Sequence, residues 1–216
     1  SKNVPTYWGT QPILEAPAYI GISVFFFALI GIYFVKGPLR NALFFSILFS
    51  LFLSWGKNLS FLTEFFVNYI PLYNKFRAVS SIQVILEFCF PVLAVLGLSH
   101  LFYSKETINI KRFIKVASIP IIILSLVYLF QGMLTFTGLN DSYFSEIYGA
   151  NLLSKIKEAR VSIFKEDIFR GILICCILIV IYYLFYIKIL KKNLALISVI
   201  FLLIIDLLSV ANNYID

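Results

Sequence analysis

The residues of this sequence best suited to chemistry are basic side chains set among aromatic ones in the segment 56–81. Lys75 and Arg77 flank Phe76, and Lys57 lies near the start of the same segment. An arginine guanidinium binds two phosphate oxygens at once, and a lysine ammonium adds a compact positive charge. The pattern therefore favours a clamp for a lipid phosphate. Simple contact of these side chains with lipid headgroups is the alternative, and the residues alone fit both interpretations.

Three further ionisable residues lie within long apolar runs or at their edges: Glu87, Asp206 and Arg170. A charge in hydrocarbon is costly and calls for a partner or a water-filled cavity. An ion pair between Asp206 and Arg170 is the economical prediction, because both lie near the same end of neighbouring runs. The alternative is that Glu87 or Asp206 lines a polar cleft open to the outside.

Six apolar runs must position these groups. They cover residues 18–35, 39–55, 82–102, 116–136, 171–187 and 194–211. A helix of about 20 mostly apolar residues crosses the hydrocarbon core, and lipid excludes an open strand because its backbone groups would stay unpaired. The chain is 61% hydrophobic and 13% charged, with a mean hydropathy of +0.93. The sequence thus predicts an all-α, polytopic transmembrane helical bundle with six spans.

The charges between the runs predict the orientation. Basic residues dominate the loop around Lys36 and Arg40, the loop 103–115 and the turn 188–193, so these should be cytoplasmic. The segments 1–17, 56–81, 137–170 and 212–216 are then extracytoplasmic. This arrangement predicts a multi-pass protein of the bacterial inner membrane with both ends of the chain outside. Because the net charge of +7 lies at run ends, nucleic acid is not expected as a partner.

Both longer outer segments contain amphipathic patterns. In 56–81, aromatic and aliphatic residues from Phe61 to Tyr69 recur at helical spacing, Glu64 belongs to a polar stripe, and Pro71 ends the pattern. This predicts a helix in the membrane interface. In 137–170, a second amphipathic helix is predicted over 151–164, either on the membrane, along a cleft or in solvent.

Several motifs resemble those of a known family. They are Tyr7-Trp8-Gly9-Thr10-Gln11-Pro12, Trp55-Gly56-Lys57-Asn58, Tyr73-Asn74-Lys75-Phe76-Arg77 and Phe164-Lys165-Glu166-Asp167. Together they resemble the bacterial YfhO membrane-protein family in its Bacteroidetes-like form. Members of that family are much longer, so the resemblance implies that this chain is a middle section.

The resemblance also implies an activity. YfhO-like proteins look like GT-C glycosyltransferases, which take a sugar from a polyprenyl-phosphate donor and place their acidic base in an early outer loop. That loop would precede Ser1, so the catalytic acid is expected outside this chain. The resemblance implies that Lys57, Lys75 and Arg77 hold the donor phosphate, oriented by Glu64 and Asn74. No cofactor is expected for these residues, although a divalent metal is compatible with the full protein.

Two alternatives to an enzyme remain open on the residues. Motifs of soluble enzymes, such as a phosphate-binding glycine loop, GxSxG or HExxH, are missing from the sequence. The chain could therefore be a non-catalytic membrane subunit of an envelope assembly or export complex, with its outer loops docking partners. A lipid or solute transporter is the other alternative. Membrane lipids are expected partners in every case.

Overall fold

The computed structural model describes Trp8 and residues 19–71, 82–104, 108–138 and 140–212, apart from the side chains of Lys57, Asn58 and Tyr148. Within these ranges every regular element is helical, which confirms the predicted all-α class. The α-helices are α1 (Ile22–Phe34), α2 (Pro38–Ser54), α3 (Ser60–Tyr69), α4 (Gln83–Tyr103), α5 (Ile110–Ala117), α6 (Ile119–Leu129), α7 (Asp141–Tyr148), α8 (Ala150–Tyr186) and α9 (Lys192–Ala211). Short 3₁₀ helices follow α2 at Gly56–Leu59 and α6 at Phe130–Met133.

Four helical stretches have the length and hydropathy needed to cross a membrane. They are Gln83–Tyr103, Ile110–Met133, Ala150–Tyr186 and Lys192–Ala211. The two remaining apolar helices, α1 and α2, have only 13 and 17 residues. At 1.5 Å per residue α1 covers about 20 Å, less than the roughly 30 Å of a hydrocarbon core. The chain is therefore a helical, multi-pass membrane protein, while a crossing by each of the first two runs stays a prediction.

The first apolar run is only partly helical because the backbone breaks the helix at both ends. Gly21 has a φ of 95°, a conformation that disfavours other residues, and α1 starts directly after it. At the other end Val35 is extended. The apolar residues before Gly21 made the run look like a longer helix, since hydropathy alone carries no signal for such a start.

The chain divides into two compact units, 1–17 with 118–177 and 18–117 with 178–216. In the second unit α1 is the central helix, in contact with α2, α4, α5 and α9. One face of α1 is accordingly buried, with Phe26 and Ile30 at most 1% exposed, whereas Tyr33 near its end is 58% exposed. The core of this unit forms around the buried face of a short helix.

The closest helix crossing in this unit joins α1 to α4 through two glycines. A Cβ on Gly97 would overlap the carbonyl oxygen of Phe27, and a Cβ on Gly31 would overlap that of Leu93. Backbones can approach this closely only where side chains are missing, which is the usual role of small residues between membrane helices. Gly31 and Gly97 therefore set the spacing of the two helices.

The amphipathic helix predicted over 151–164 and the span predicted over 171–187 are parts of one helix, α8, with 37 residues. No proline or glycine interrupts residues 165–170, so nothing in the sequence ends the helix there. Its length of about 55 Å exceeds the roughly 30 Å hydrocarbon core. α8 is therefore longer than a single perpendicular crossing of the membrane requires.

Candidate functional site

A buried carboxylate lies at the start of the central helix. Asp206 of α9 is fully buried, and its Oδ1 accepts a hydrogen bond of 2.7 Å from the Tyr19 hydroxyl. Its Oδ2 accepts one of 2.9 Å from the backbone N–H of Ser23 and another from the Ser23 hydroxyl. The Tyr19 hydroxyl in turn accepts a hydrogen bond from the Ile22 N–H at 3.3 Å. Asp206 and Tyr19 thus satisfy the first two N–H groups of α1, which no carbonyl of that helix can reach.

The position of Asp206 also suits its charge. The start of a helix carries a partial positive charge from its aligned peptide dipoles, and a carboxylate there is stabilised. Gly21 lets the start of α1 approach α9, because a Cβ on Gly21 would lie only 3.3 Å from Oδ2 of Asp206. The group of Tyr19, Ser23 and Asp206, called the Asp206 cap below, holds an acid inside the protein by hydrogen bonds and a helix dipole.

Asp206 and Arg170 each have a polar partner within their own unit. Arg170 forms an ion pair of 3.2 Å with Asp167, one turn earlier on α8, and both side chains are partly exposed. Asp206 is satisfied by the hydroxyl and backbone groups of Tyr19 and Ser23. Hydroxyl and backbone donors near α1 thus offset the cost of the buried acid, and these donors could not be recognised without the fold. The ion pair of Asp206 with Arg170 stays a prediction.

A second polar cluster lies in the other unit. Arg160 of α8 donates from Nη1 to Oδ2 of Asp141 at 2.8 Å and from Nη2 to Oδ1 at 2.9 Å. Its Nη1 also donates to the carbonyl oxygen of Phe136 at 2.9 Å, and the Gly138 N–H donates to Asp141. Arg160 is 2% exposed. The guanidinium therefore fastens the turn 136–141 to α8, and we call this group the Arg160 clasp.

An aromatic group adjoins the Arg160 clasp. Trp8 lies 4.8 Å from Phe136 and 6.3 Å from Phe164 between ring centroids, and the two phenylalanines lie 5.3 Å apart. Phe164 follows Arg160 by one helical turn, so both belong to one face of α8. The clasp and the rings join three distant parts of the chain, with Trp8 from the N-terminal motif of the family resemblance.

The buried face of α8 differs from the predicted one. The spacing in 151–164 predicts an apolar stripe of Leu152, Ile156, Ala159 and Ile163, bordered by Arg160. Leu152 and Ile163 are nevertheless 41% and 44% exposed. Ile156 of that stripe is buried, together with Arg160 one turn later and Ile168 two further turns along. Arginine was not expected on a buried face, and its partner Asp141 lies 19 residues earlier, where the sequence shows only a turn-forming cluster.

The residues of the candidate phosphate site flank the exposed helix α3 in the sequence. No residue of α3 is buried, and Glu64 is exposed together with the aromatic residues Phe61 and Tyr69. Lys57 belongs to the 3₁₀ helix before α3, but its side chain is outside the described atoms. Asn74, Lys75 and Arg77 lie outside the described residues altogether. The structure therefore places the flanking helix and leaves the clamp itself a prediction.

Glu87 lies on the exposed face of α4, one turn after the helix begins. No hydrogen bond or ion pair joins it to another residue of the described part of the chain. Glu87 is therefore not among the hydrogen-bonding residues of the Asp206 cap. Nor do any three histidine, cysteine, aspartate or glutamate side chains meet as a metal site in the described ranges.

Comparison with family models, with characterised proteins and with solved structures gives no match for this chain. The function of this chain is therefore inferred from its sequence pattern and from the arrangement of its residues. The residues that sequence reasoning missed are Tyr19, Ser23 and Asp141. The sequence does show two hydroxyl groups at the start of an apolar run, Tyr19 and Ser23, and an acid in a turn, Asp141. It does not indicate which distant residue each of them contacts.

Proposed function

We propose that this chain is the membrane part of a bacterial enzyme that transfers a sugar from a polyprenyl-phosphate donor to a cell-envelope acceptor. The observation that carries the proposal is the exposed helix α3 directly before the basic segment with Lys75 and Arg77. The family resemblance adds the sugar-transfer chemistry. A divalent metal supplied elsewhere in a full protein is compatible with this proposal.

The first step of the argument concerns the position of α3. Phe61 and Tyr69 are 79% and 73% exposed, although both are large aromatic residues. α3 is nevertheless held to the end of α2. The rings of Phe66 and Phe49 pack with their centroids 5.6 Å apart, and the Thr63 hydroxyl donates a hydrogen bond to the Gly56 carbonyl. Aromatic residues exposed beside the end of a membrane helix suit the headgroup region of a bilayer.

The second step concerns the charges that follow. α3 ends at Tyr69, and Lys75 and Arg77 follow it within eight residues of the sequence. The proposed function assigns both cations to the level of the lipid phosphates. A phosphate that leaves a sugar gains negative charge in the transition state, and positioned cations stabilise that charge. Lys57 would contribute a third cation from the start of the same segment. Glu64 and Asn74 would orient the cations by accepting or donating hydrogen bonds.

The test uses the protein in membranes with radiolabelled polyprenyl-phosphate sugars. Arg77→Ala and Lys75→Ala should each lower transfer to envelope material by about 100-fold, the usual loss on removing one stabilising donor, at unchanged protein level. Lys111→Ala, a basic residue on the predicted cytoplasmic side, is the matched control and should leave transfer unchanged. Equal transfer by all three variants would refute the proposal.

The same variants distinguish the alternatives. A non-catalytic subunit would keep envelope modification in Arg77→Ala cells but lose a partner when the exposed face of α3 is changed. A transporter would move labelled lipid or solute across proteoliposomes without forming any glycosidic bond. Either result, together with no sugar transfer, would replace the enzymatic proposal.

A further inference from the structure

The exposed acid on α4 lies where a membrane protein rarely leaves a charge. α4 has 21 residues and a length of about 32 Å, so its ends fall near the two boundaries of the hydrocarbon core. Glu87 is the fifth residue, about 6 Å inside the helix start. An ionisable side chain at such a position normally faces other protein and has a partner there. Among the described residues Glu87 has none.

The residues around Glu87 form a regular exposed seam. Val84, Phe88 and Val95 are 63%, 68% and 64% exposed, and Pro91 is exposed between them. Their spacing of four, three and four residues is the pattern by which one helix receives the side chains of another. Lipid requires no such spacing. The opposite side of α4 is already occupied, since it packs against α1 and α2.

We propose that this seam, made of Val84, Glu87, Phe88, Pro91 and Val95, docks a membrane-spanning helix of a partner protein, which pairs a lysine or arginine with Glu87. Charge complementarity selects the chemistry of the partner, because a carboxylate in hydrocarbon is stabilised by a cation. A second copy of the same face is disfavoured, since it would bring two Glu87 carboxylates together. The inference does not depend on sugar transfer.

The test is photo-crosslinking in the native membrane. A photoreactive amino acid replaces Val95 on the seam, or Phe201 of α9, which is equally exposed at 64% and serves as the control. The Val95 probe should form an adduct with a second protein, and sequencing of the linked peptide should give a membrane helix with a basic residue near one end. The Phe201 probe should not form that adduct.

The charge is tested by substitution. Glu87→Gln in the Val95 probe background should reduce the adduct about tenfold, the size expected for a polar contact between membrane helices. Glu87→Lys should abolish it, and exchange of the partner's basic residue for glutamate should restore it. Adducts with lipid only, with the same polypeptide or with a second copy would overturn the inference. So would an adduct that is unchanged by Glu87→Gln.

Discussion

Arg160 binds Asp141 through both ends of its guanidinium group, at 2.8 and 2.9 Å, with its side chain 1% exposed. Paired, parallel hydrogen bonds of this kind are both strong and directional. The third acceptor of the guanidinium is the carbonyl of Phe136, a residue with a φ of 48°. A loop that the hydropathy pattern leaves undefined is thereby fixed to the longest helix of the chain.

Removal of one partner of this pair should destabilise the unit that contains it. Arg160→Met leaves the Asp141 carboxylate without its main donor, and loss of one side of a buried pair costs about 3–5 kcal/mol. We expect a lower melting temperature for the purified protein in detergent and faster amide exchange in residues 136–141.

The matched control is Lys155→Met, an exposed residue of the same helix, which should change stability by less than about 0.5 kcal/mol. The double variant Arg160→Met with Asp141→Leu should recover much of the loss, because no unpaired charge remains. Equal melting temperatures for Arg160→Met and Lys155→Met would contradict the proposed importance of the clasp.

The Arg160 clasp should also affect how the free energy of unfolding falls at acidic pH. The hydrogen bond from Arg160 holds the pKa of Asp141 below its ordinary value of 3.8. The native state therefore binds a proton less readily than the unfolded chain, so the stabilisation is complete above the unfolded pKa and is lost as the pH falls through the lower folded pKa. Asp141→Asn should be less stable than the unchanged protein at neutral pH. Its free energy of unfolding should also fall less as the pH is lowered.

Unfolding in denaturant between pH 2 and pH 6 measures this effect. Asp167→Asn is the control, because the Asp167 side chain is 57% exposed and its pair with Arg170 is accessible to solvent. It should follow the pH dependence of the unchanged protein. If Asp141→Asn kept the full acid dependence, another carboxylate would have to be responsible.

The features that the sequence predicted are those that depend on local pattern. Hydropathy and length identify α4, α8 and α9 as spans, and helical spacing identifies α3. The bond between Ser23 and Asp206 joins residues 183 positions apart, so no local pattern could reveal it. A charged residue such as Arg160 is normally expected to be exposed, yet it is buried. The free-energy cost of burying its charge is offset by hydrogen-bond acceptors on a different segment, Phe136 and Asp141. The basic candidates Lys75 and Arg77 stay predictions.

The Asp206 cap predicts a graded response to substitution. Asp206→Ala removes the acceptor for the part-buried Tyr19 hydroxyl and for two buried groups of Ser23. Unmade buried hydrogen bonds cost about 1–3 kcal/mol each, so a loss on the order of 3 kcal/mol is expected. Asp206→Asn retains one acceptor oxygen and should lose less.

Thermal unfolding in detergent with and without added lipid would measure this series. Ser54→Ala is the control, since the Ser54 hydroxyl bonds only a carbonyl of its own helix, at 2.8 Å. It should change stability by less than about 0.5 kcal/mol. Equal melting temperatures for Asp206→Ala and Ser54→Ala would show that the Asp206 carboxylate does not stabilise the start of α1.

The predicted orientation can be tested with single cysteines after replacement of Cys89, Cys175 and Cys176. A cysteine at Asn140 should react with a membrane-impermeant maleimide on intact cells, whereas one at Lys191 should react only after the membrane is opened. The basis is the excess of basic residues in the turn 188–193. Labelling in the reverse order would place the basic segment 74–77 in the cytosol and remove the basis for contact with an outer-leaflet donor.

The crossing of α1 and α4 at Gly31 and Gly97 leads to a steric prediction. Gly97→Ala adds a methyl group where the Phe27 carbonyl already lies, and backbone at a packed helix crossing cannot move aside cheaply. We expect α1 and α4 to separate, with a stability loss of about 2 kcal/mol or more. Gly132→Ala is the matched control, because nothing lies within 4 Å of the added carbon. A cysteine pair across α1 and α4 would report the separation by slower disulfide formation, and an unchanged rate in Gly97→Ala would show that the two backbones are not in contact at this crossing.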